Sequence, residues 1–250
     1  MVLFPITDER EQNSRAVSAW AAVQEQQEQR ASAYWIVTQP SHAALASDLA
    51  AALREDLFGT IDPTVVRSIA LHDAGWSMDD AEQIQRLRSD AKQRPFSFIE
   101  APADRFLPAW SGSIETAEKF APIGGYIVSR HFERISQRDN HDQAELEAFR
   151  EREKQRQQKL RTTIGFDEGV LERVVDALQF CDLLSLYLCC GSSRTAKFDQ
   201  PAVTVTRHGD EYRLEPCPFK EPKQFSFSAL RHPVGQGKKG QSGATFYINL

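Results

Sequence analysis

Long apolar runs are missing from this chain. The most apolar stretch, Phe180 to Cys190, carries Asp182 in its interior and is too short to span a bilayer, so no membrane is expected. A signal peptide's apolar region is missing as well, because Asp8, Glu9, Arg10 and Glu11 interrupt the N-terminus. Paired cysteines are absent. Cys181, Cys189, Cys190 and Cys217 show no Cys-x-x-Cys spacing, and three of them share the apolar segment of Asp182. They read as reduced, buried small side chains rather than as a zinc cluster. A cytoplasmic location is expected on these grounds. Positive charge is not in excess: the formal net charge is -5, so nucleic acid is not an expected partner. No internal repeat is present. Gly235-Gln236-Gly237-Lys238-Lys239-Gly240 lacks the P-loop spacing and reads as a flexible turn.

What is present is enough for a real core. The 250 residues are 41% hydrophobic and 26% charged, which suits one large domain or a domain with an appendage. Val2-Leu3-Phe4 and Tyr34 to Thr38 read as strands. Residues 10–31 read as a surface helix with a stripe at Val17, Trp20 and Val23. Gly75 to Pro108 reads as a long, irregular segment with a short helical piece. Residues 109–120 and 122–137 form two helices parted by Pro122, and the charged residues 141–161 form a solvated helix or arm. After Gly191 the period shortens to that of strands, at Ala202–Thr206, Tyr212–Leu214, Phe225–Leu230 and Thr245–Leu250. These are expected to pair with the strands near Val2 and Tyr34.

Four polar residues interrupt apolar helix faces. One face reads His42, Leu45, Leu49, Leu53. A second begins at Asp62-Pro63 and reads Val65, Ile69, His72, Asp73, with Gly75 placed to end the helix. The third reads Leu171, Val175, Leu178, Asp182, Ser185. Spacings of three and four align each polar residue with its apolar neighbours. A carboxylate in a core needs a cation or several donors. Two imidazoles and two carboxylates from three helices would make a divalent metal site. The dipeptide alone is not diagnostic: His141-Asp142 repeats it in a charged context and reads as a helix start.

The order His42, His72-Asp73, Asp182 resembles the HD-domain metal-dependent phosphohydrolases. The strings Trp35-Ile36-Val37-Thr38-Gln39-Pro40-Ser41-His42 and His72-Asp73-Ala74-Gly75-Trp76 are similar to an uncharacterised bacterial family with only a domain-of-unknown-function label. The resemblance runs from about Tyr34 to the C-terminus. It implies a mainly α protein: an HD-like helical bundle at 34–191, an N-terminal extension at 1–33, and a β-rich tail at 192–250 packed on the core. A small antiparallel element would join the N-terminal strand to the tail.

A metal held by His42, His72, Asp73 and Asp182 follows, with manganese, iron, cobalt, nickel and zinc all suited to the donors. His131, on the line Ile127-His131-Ile135, has three readings: a ligand of a second metal, a proton donor to a leaving group, or a core histidine. Asp73 would also orient water. Arg67 and Arg130 are candidate anion binders or plain surface arginines, and Trp76 and Asp79 are candidate pocket residues. The expected function is hydrolysis of a small, anionic phosphorylated compound or nucleotide by metal-activated water. A di-iron HD-type oxygenase and a non-catalytic metal-containing binding protein are the alternatives. A homo-oligomer is left open.

Overall fold

A computed structural model describes residues 1–7, 15–90, 92–138, 143–209, 211–235 and 242–250. The charged residues 8–11, the His141-Asp142 pair and the Gly-Lys turn at 236–240 lie outside the described residues. The order is β1 (Val2–Ile6), β2 (Val17–Ser18), α1 (Ala19–Glu28), β3 (Ala33–Val37), α2 (Gln39–Ala52), α3 (Glu55–Phe58), α4 (Pro63–Ile69) and α5 (Ser77–Ser89). There follow α6 (Ala103–Phe120), α7 (Pro122–Ser136), α8 (Gln143–Arg161), α9 (Glu168–Cys189), β4 (Ala196–Phe198), β5 (Val203–His208), β6 (Glu211–Glu215), β7 (Gln224–Pro233) and β8 (Ser242–Asn249). The protein is mainly α with some β. Among the described residues no helix is long and apolar enough to cross a membrane.

The core centres on α9, which packs against α1, α2 and α7. Leu171, Val175, Leu178 and Leu184 are fully buried on it, as are Leu45 and Leu49 on α2. Removing any one of these leucines down to Ala would cost about 2–5 kcal/mol. Local chemistry sets where the helices start. Thr38 caps α2 by accepting from Ser41 N at 3.2 Å, with Pro40 in the first turn. Asp62 caps α4 and Asp167 caps α9 in the same way.

Two four-stranded sheets flank the helices, in the orders β1-β3-β7-β8 and β2-β4-β5-β6. In the first, Val37 pairs with Val2 and Leu230 with Ile36, so strands from the N-terminal segment, the Tyr34 segment and the tail share one sheet. That matches the expectation for the tail strands Phe225–Leu230 and Thr245–Leu250, whereas Ala202–Thr206 and Tyr212–Leu214 join the second sheet instead. The second sheet is additional, and its parallel pairing of Val17-Ser18 with β4 gave no sequence signal because β2 has only two residues.

Several local expectations need correction. The segment from Gly75 to Pro108 is largely ordered: α5 occupies 77–89, and α6 begins at Ala103 with Pro108 inside it. Asp79 and Asp80 lie in the first turn of α5, and Arg86 and Arg88 in its last. Charges that look like loop composition complement the helix dipole. In α8, Leu146, Phe149, Glu153, Gln157 and Leu160 form a buried face, so this helix is docked rather than solvated. The face is hard to read because Gln157 replaces an apolar residue there, donating to Ser129 Oγ at 3.0 Å. In α1 the buried residues are Ala19, Ala22, Val23 and Gln27, while Trp20 is 42% exposed. Gln27 is paid for by a reciprocal pair of hydrogen bonds with the Leu3 backbone.

Gly75 does not cap a helix. α4 ends at Ile69, and Gly75 sits in a short 3-10 turn, Ala74–Trp76. A Cβ there would lie 2.0 Å from the carbonyl oxygen of Ala109, so glycine is required for close approach to α6. Gly75 N also donates to Ser113 Oγ at 3.0 Å.

Candidate metal centre

Three segments bring His42, His72, Asp73 and Asp182 together. His42 lies in the first turns of α2, His72 and Asp73 in the turn after α4, and Asp182 in the middle of α9. The start of α2 is anchored by Asp80 of α5, whose buried Oδ2 accepts from Gln39 N at 2.6 Å. The close fit of Gly75 against α6 fixes the turn that carries Asp73. Both imidazoles are fully buried, and Asp73 is 6% exposed.

The donor atoms converge closely. His42 Nε2 lies 2.7 Å from Asp73 Oδ2, and His72 Nε2 lies 3.2 Å from Asp182 Oδ1 and 3.7 Å from Asp73 Oδ2. Bonds of about 2.0–2.2 Å to one ion would put neighbouring ligand atoms about 3.0–3.4 Å apart. The observed separations bracket that range, and the His42–Asp73 pair would need to open slightly. His42, His72 and Asp73 offer donor atoms within 4.8 Å of one another. So do His72, His131 and Asp182. The two trios share His72. Each trio therefore fits a divalent ion; Asp182 falls outside the set formed by His42, His72 and Asp73, so a centre with all four ligands needs the Asp182 side chain to move in.

The back of each ring is fixed by a hydrogen bond. His42 Nδ1 lies 2.9 Å from Ser185 Oγ, and His72 Nδ1 donates to the Ile69 carbonyl at 2.7 Å. Orienting partners of this kind are what metal-binding imidazoles need. His131 stacks edge-on to His72 with ring centroids 5.5 Å apart, and its Nε2 lies 3.7 Å from Asp182 Oδ2.

Electrostatics couple these groups. Burial works against the charge on His72, but Asp73 and the hydrogen bond to Asp182 outweigh it and hold the imidazole up at about 9. Burial pushes the Asp182 carboxyl up, yet the hydrogen bond and charge of His72 overcome this and hold it down at about 2. His131 has no such direct partner, and burial brings it down to about 4 against the pull of Asp182.

The cluster opens into a cavity of about 860 Å³, lined among others by His42, Asp73, His131 and Asp182. Trp76, Trp110, Phe132 and Leu186 supply apolar wall. Of the residues singled out as pocket candidates, Trp76 lines this cavity; Arg67, Asp79 and Arg130 do not. Arg67 is exposed on α4. Asp79 is paired with Arg105, and Arg130 with Glu133 and Glu172.

Sequence reasoning missed the cations that do line the cavity: Arg134, Arg138 and Lys197. Arg134 is tied to Glu172 and Asp176 of α9. Arg138 and Lys197 are exposed and form no ion pair with a described residue. Arg134 and Arg138 follow His131 by three and seven residues, a same-face spacing that the sequence contained. Lys197 comes from β4 and had no local signal. Gln179 of α9, also in the lining, stands one turn before Asp182.

Residues 25–232 match the family described as Protein of unknown function (DUF3891), and the chain belongs to that family. No curated protein and no solved structure matches it.

Proposed function

We propose that this protein is a metal-dependent hydrolase of HD-domain type that acts on a small phosphorylated compound. The observation that carries this reading is the convergence of His42, His72, Asp73 and Asp182 beside a cavity with cations in its wall. Their chain order, and the placing of His42 on α2, His72-Asp73 after α4 and Asp182 on α9, agree with the HD resemblance. Manganese, iron, cobalt, nickel or zinc would suit the donors. Such an ion supplies Lewis acidity and a hydroxide nucleophile at neutral pH.

The chain's own residues divide the remaining work. Asp73 Oδ2 faces both imidazoles, which leaves Oδ1 to accept from the attacking water and aim it. Arg138 and Lys197 bind and orient the phosphoryl oxygens, since neither is neutralised by a described carboxylate. Trp76, Phe132 and Leu186 keep the reacting centre dry. His131 stands beside Asp182 within reach of a substrate oxygen.

Phosphate release from a panel of phosphomonoesters, phosphodiesters and nucleotides, with each candidate metal, tests this reading. Turnover is expected, with loss on His72→Ala. Metal-dependent oxygen consumption without phosphate release would point to the oxygenase chemistry instead. Full metal occupancy with no turnover would make the protein a binding module.

A further inference from the structure

The three imidazoles of the centre are not set alike. The Ile69 carbonyl can only accept, so His72 Nδ1 carries a proton and Nε2 is the atom available to an ion. Ser185 Oγ donates its own proton to the Asp182 carbonyl at 2.8 Å. His42 also turns Nε2 to the centre, 2.7 Å from Asp73 Oδ2, with Nδ1 behind it 2.9 Å from Ser185 Oγ. Both rings turn Nε2 toward the centre.

His131 is set the other way round. Gln179 Nε2 lies 3.1 Å from His131 Nδ1 and 3.3 Å from the backbone carbonyl oxygen of His131. An amide oxygen in that place would be repelled by the carbonyl, so the carbonyl orients Gln179 with its NH2 group inward. That NH2 has two protons, one for the carbonyl and one for the ring. Nδ1 therefore accepts, and the ring proton of His131 sits on Nε2. This N–H is 3.7 Å from Asp182 Oδ2, beyond hydrogen-bond range, and His131 lines the cavity.

We propose that Gln179 holds His131 in the Nε2–H tautomer, which makes His131 a hydrogen-bond donor to a substrate oxygen and bars it from ligating a second metal. An imidazole nitrogen ligates only through its lone pair. The trio of His72, His131 and Asp182 is thus closed to an ion, and the centre is mononuclear. Gln179 is a positioning residue, acting through His131. The substrate role rests on the hydrolase reading; the tautomer belongs to the metal-free protein.

Long-range proton–nitrogen correlation spectra of the ¹⁵N-labelled full chain test this, first without metal and then with added zinc. His131 is expected to show a bare Nδ1 and a protonated Nε2 in both, while His42 and His72 change on zinc binding at one ion per chain. A proton on His131 Nδ1, or two zinc ions per chain with His131 Nε2 shifted, would overturn the proposal. Gln179→Leu is the complementary test. It removes the N–H that Nδ1 accepts, so the Nδ1–H tautomer of His131 should appear in the metal-free spectrum. A Gln179→Leu protein whose His131 keeps its proton wholly on Nε2 would show that Gln179 does not set the tautomer. If the wild type bound none of the candidate metals, the hydrolase reading would fail, and the metal-free spectrum would still decide the tautomer.

Discussion

His72 Nε2 and Asp182 Oδ1 lie 3.2 Å apart, although 110 positions separate the two residues in the chain. Without metal they form a part-buried ion pair, with the imidazole held up at about 9 and the carboxyl held down at about 2. A metal must displace the His72 proton to reach Nε2. Metal affinity should therefore rise by about tenfold per pH unit from pH 6.5 towards 9 and then level off. Calorimetry at pH 7 in buffers of different ionisation enthalpy should show release of at least one proton per ion. Affinity independent of pH would contradict this.

The same groups set a pH optimum for the metal-free fold. His72 has a raised value, so its contribution is complete below about 6.5 and lost as pH rises through 9. His131 has a lowered value, so its contribution is present above 6.5 and lost as pH falls towards 4. The Asp182 contribution is present above 3.8 and disappears as pH falls through 2. Thermal melting of the chelated protein should peak near pH 6.5 and fall by several degrees on either side. A melting temperature rising steadily from pH 6.5 to 9 would be the contrary result.

Asp182→Asn removes the charge but keeps the shape. Metal affinity should drop by more than about 100-fold, since even residues behind the ligands are commonly worth about 10- to 100-fold. Circular dichroism should report an intact fold. Unchanged metal content in dilute protein would make Asp182 an ordinary core residue.

Gly75→Ala should destabilise the protein by about 3 kcal/mol or more, because the added methyl meets the backbone of α6 rather than a movable side chain. Denaturant unfolding measures this. A loss under about 0.5 kcal/mol would mean that the turn carrying Asp73 is less tightly fitted than its contacts imply.

His42 and Asp182 were legible because each interrupts an apolar helix face, whereas His72 and Asp73, read as helical, lie in the turn after α4. His42 aligns with Leu45 and Leu49, and Asp182 with Leu178 and Ser185, and all of these except the partly exposed Asp182 are buried. The strand character of the tail was legible from the change of period after Gly191, but its division between two sheets was not. Other features depend on contacts far apart in sequence. Gly75 is glycine because of Ala109, and Asp80 is buried because it holds Gln39 N. Lys197 reaches the cavity only because β4 packs beside the helices. Reading Arg67 and Arg130 as anion binders relied on sequence proximity to the histidines. Proximity says little here, since Arg130 points to Glu133 and Glu172 while Arg138, two turns from His131, lines the cavity.

The central claim is the metal, and anomalous scattering from a crystal grown with the bound ion tests it most directly. One peak is expected among His42 Nε2, His72 Nε2, Asp73 and Asp182, at about 2.0–2.2 Å from its ligand atoms, with His131 outside bonding distance. No peak there at full metal supply, or a peak bonded to His131 and not to His42, would contradict it.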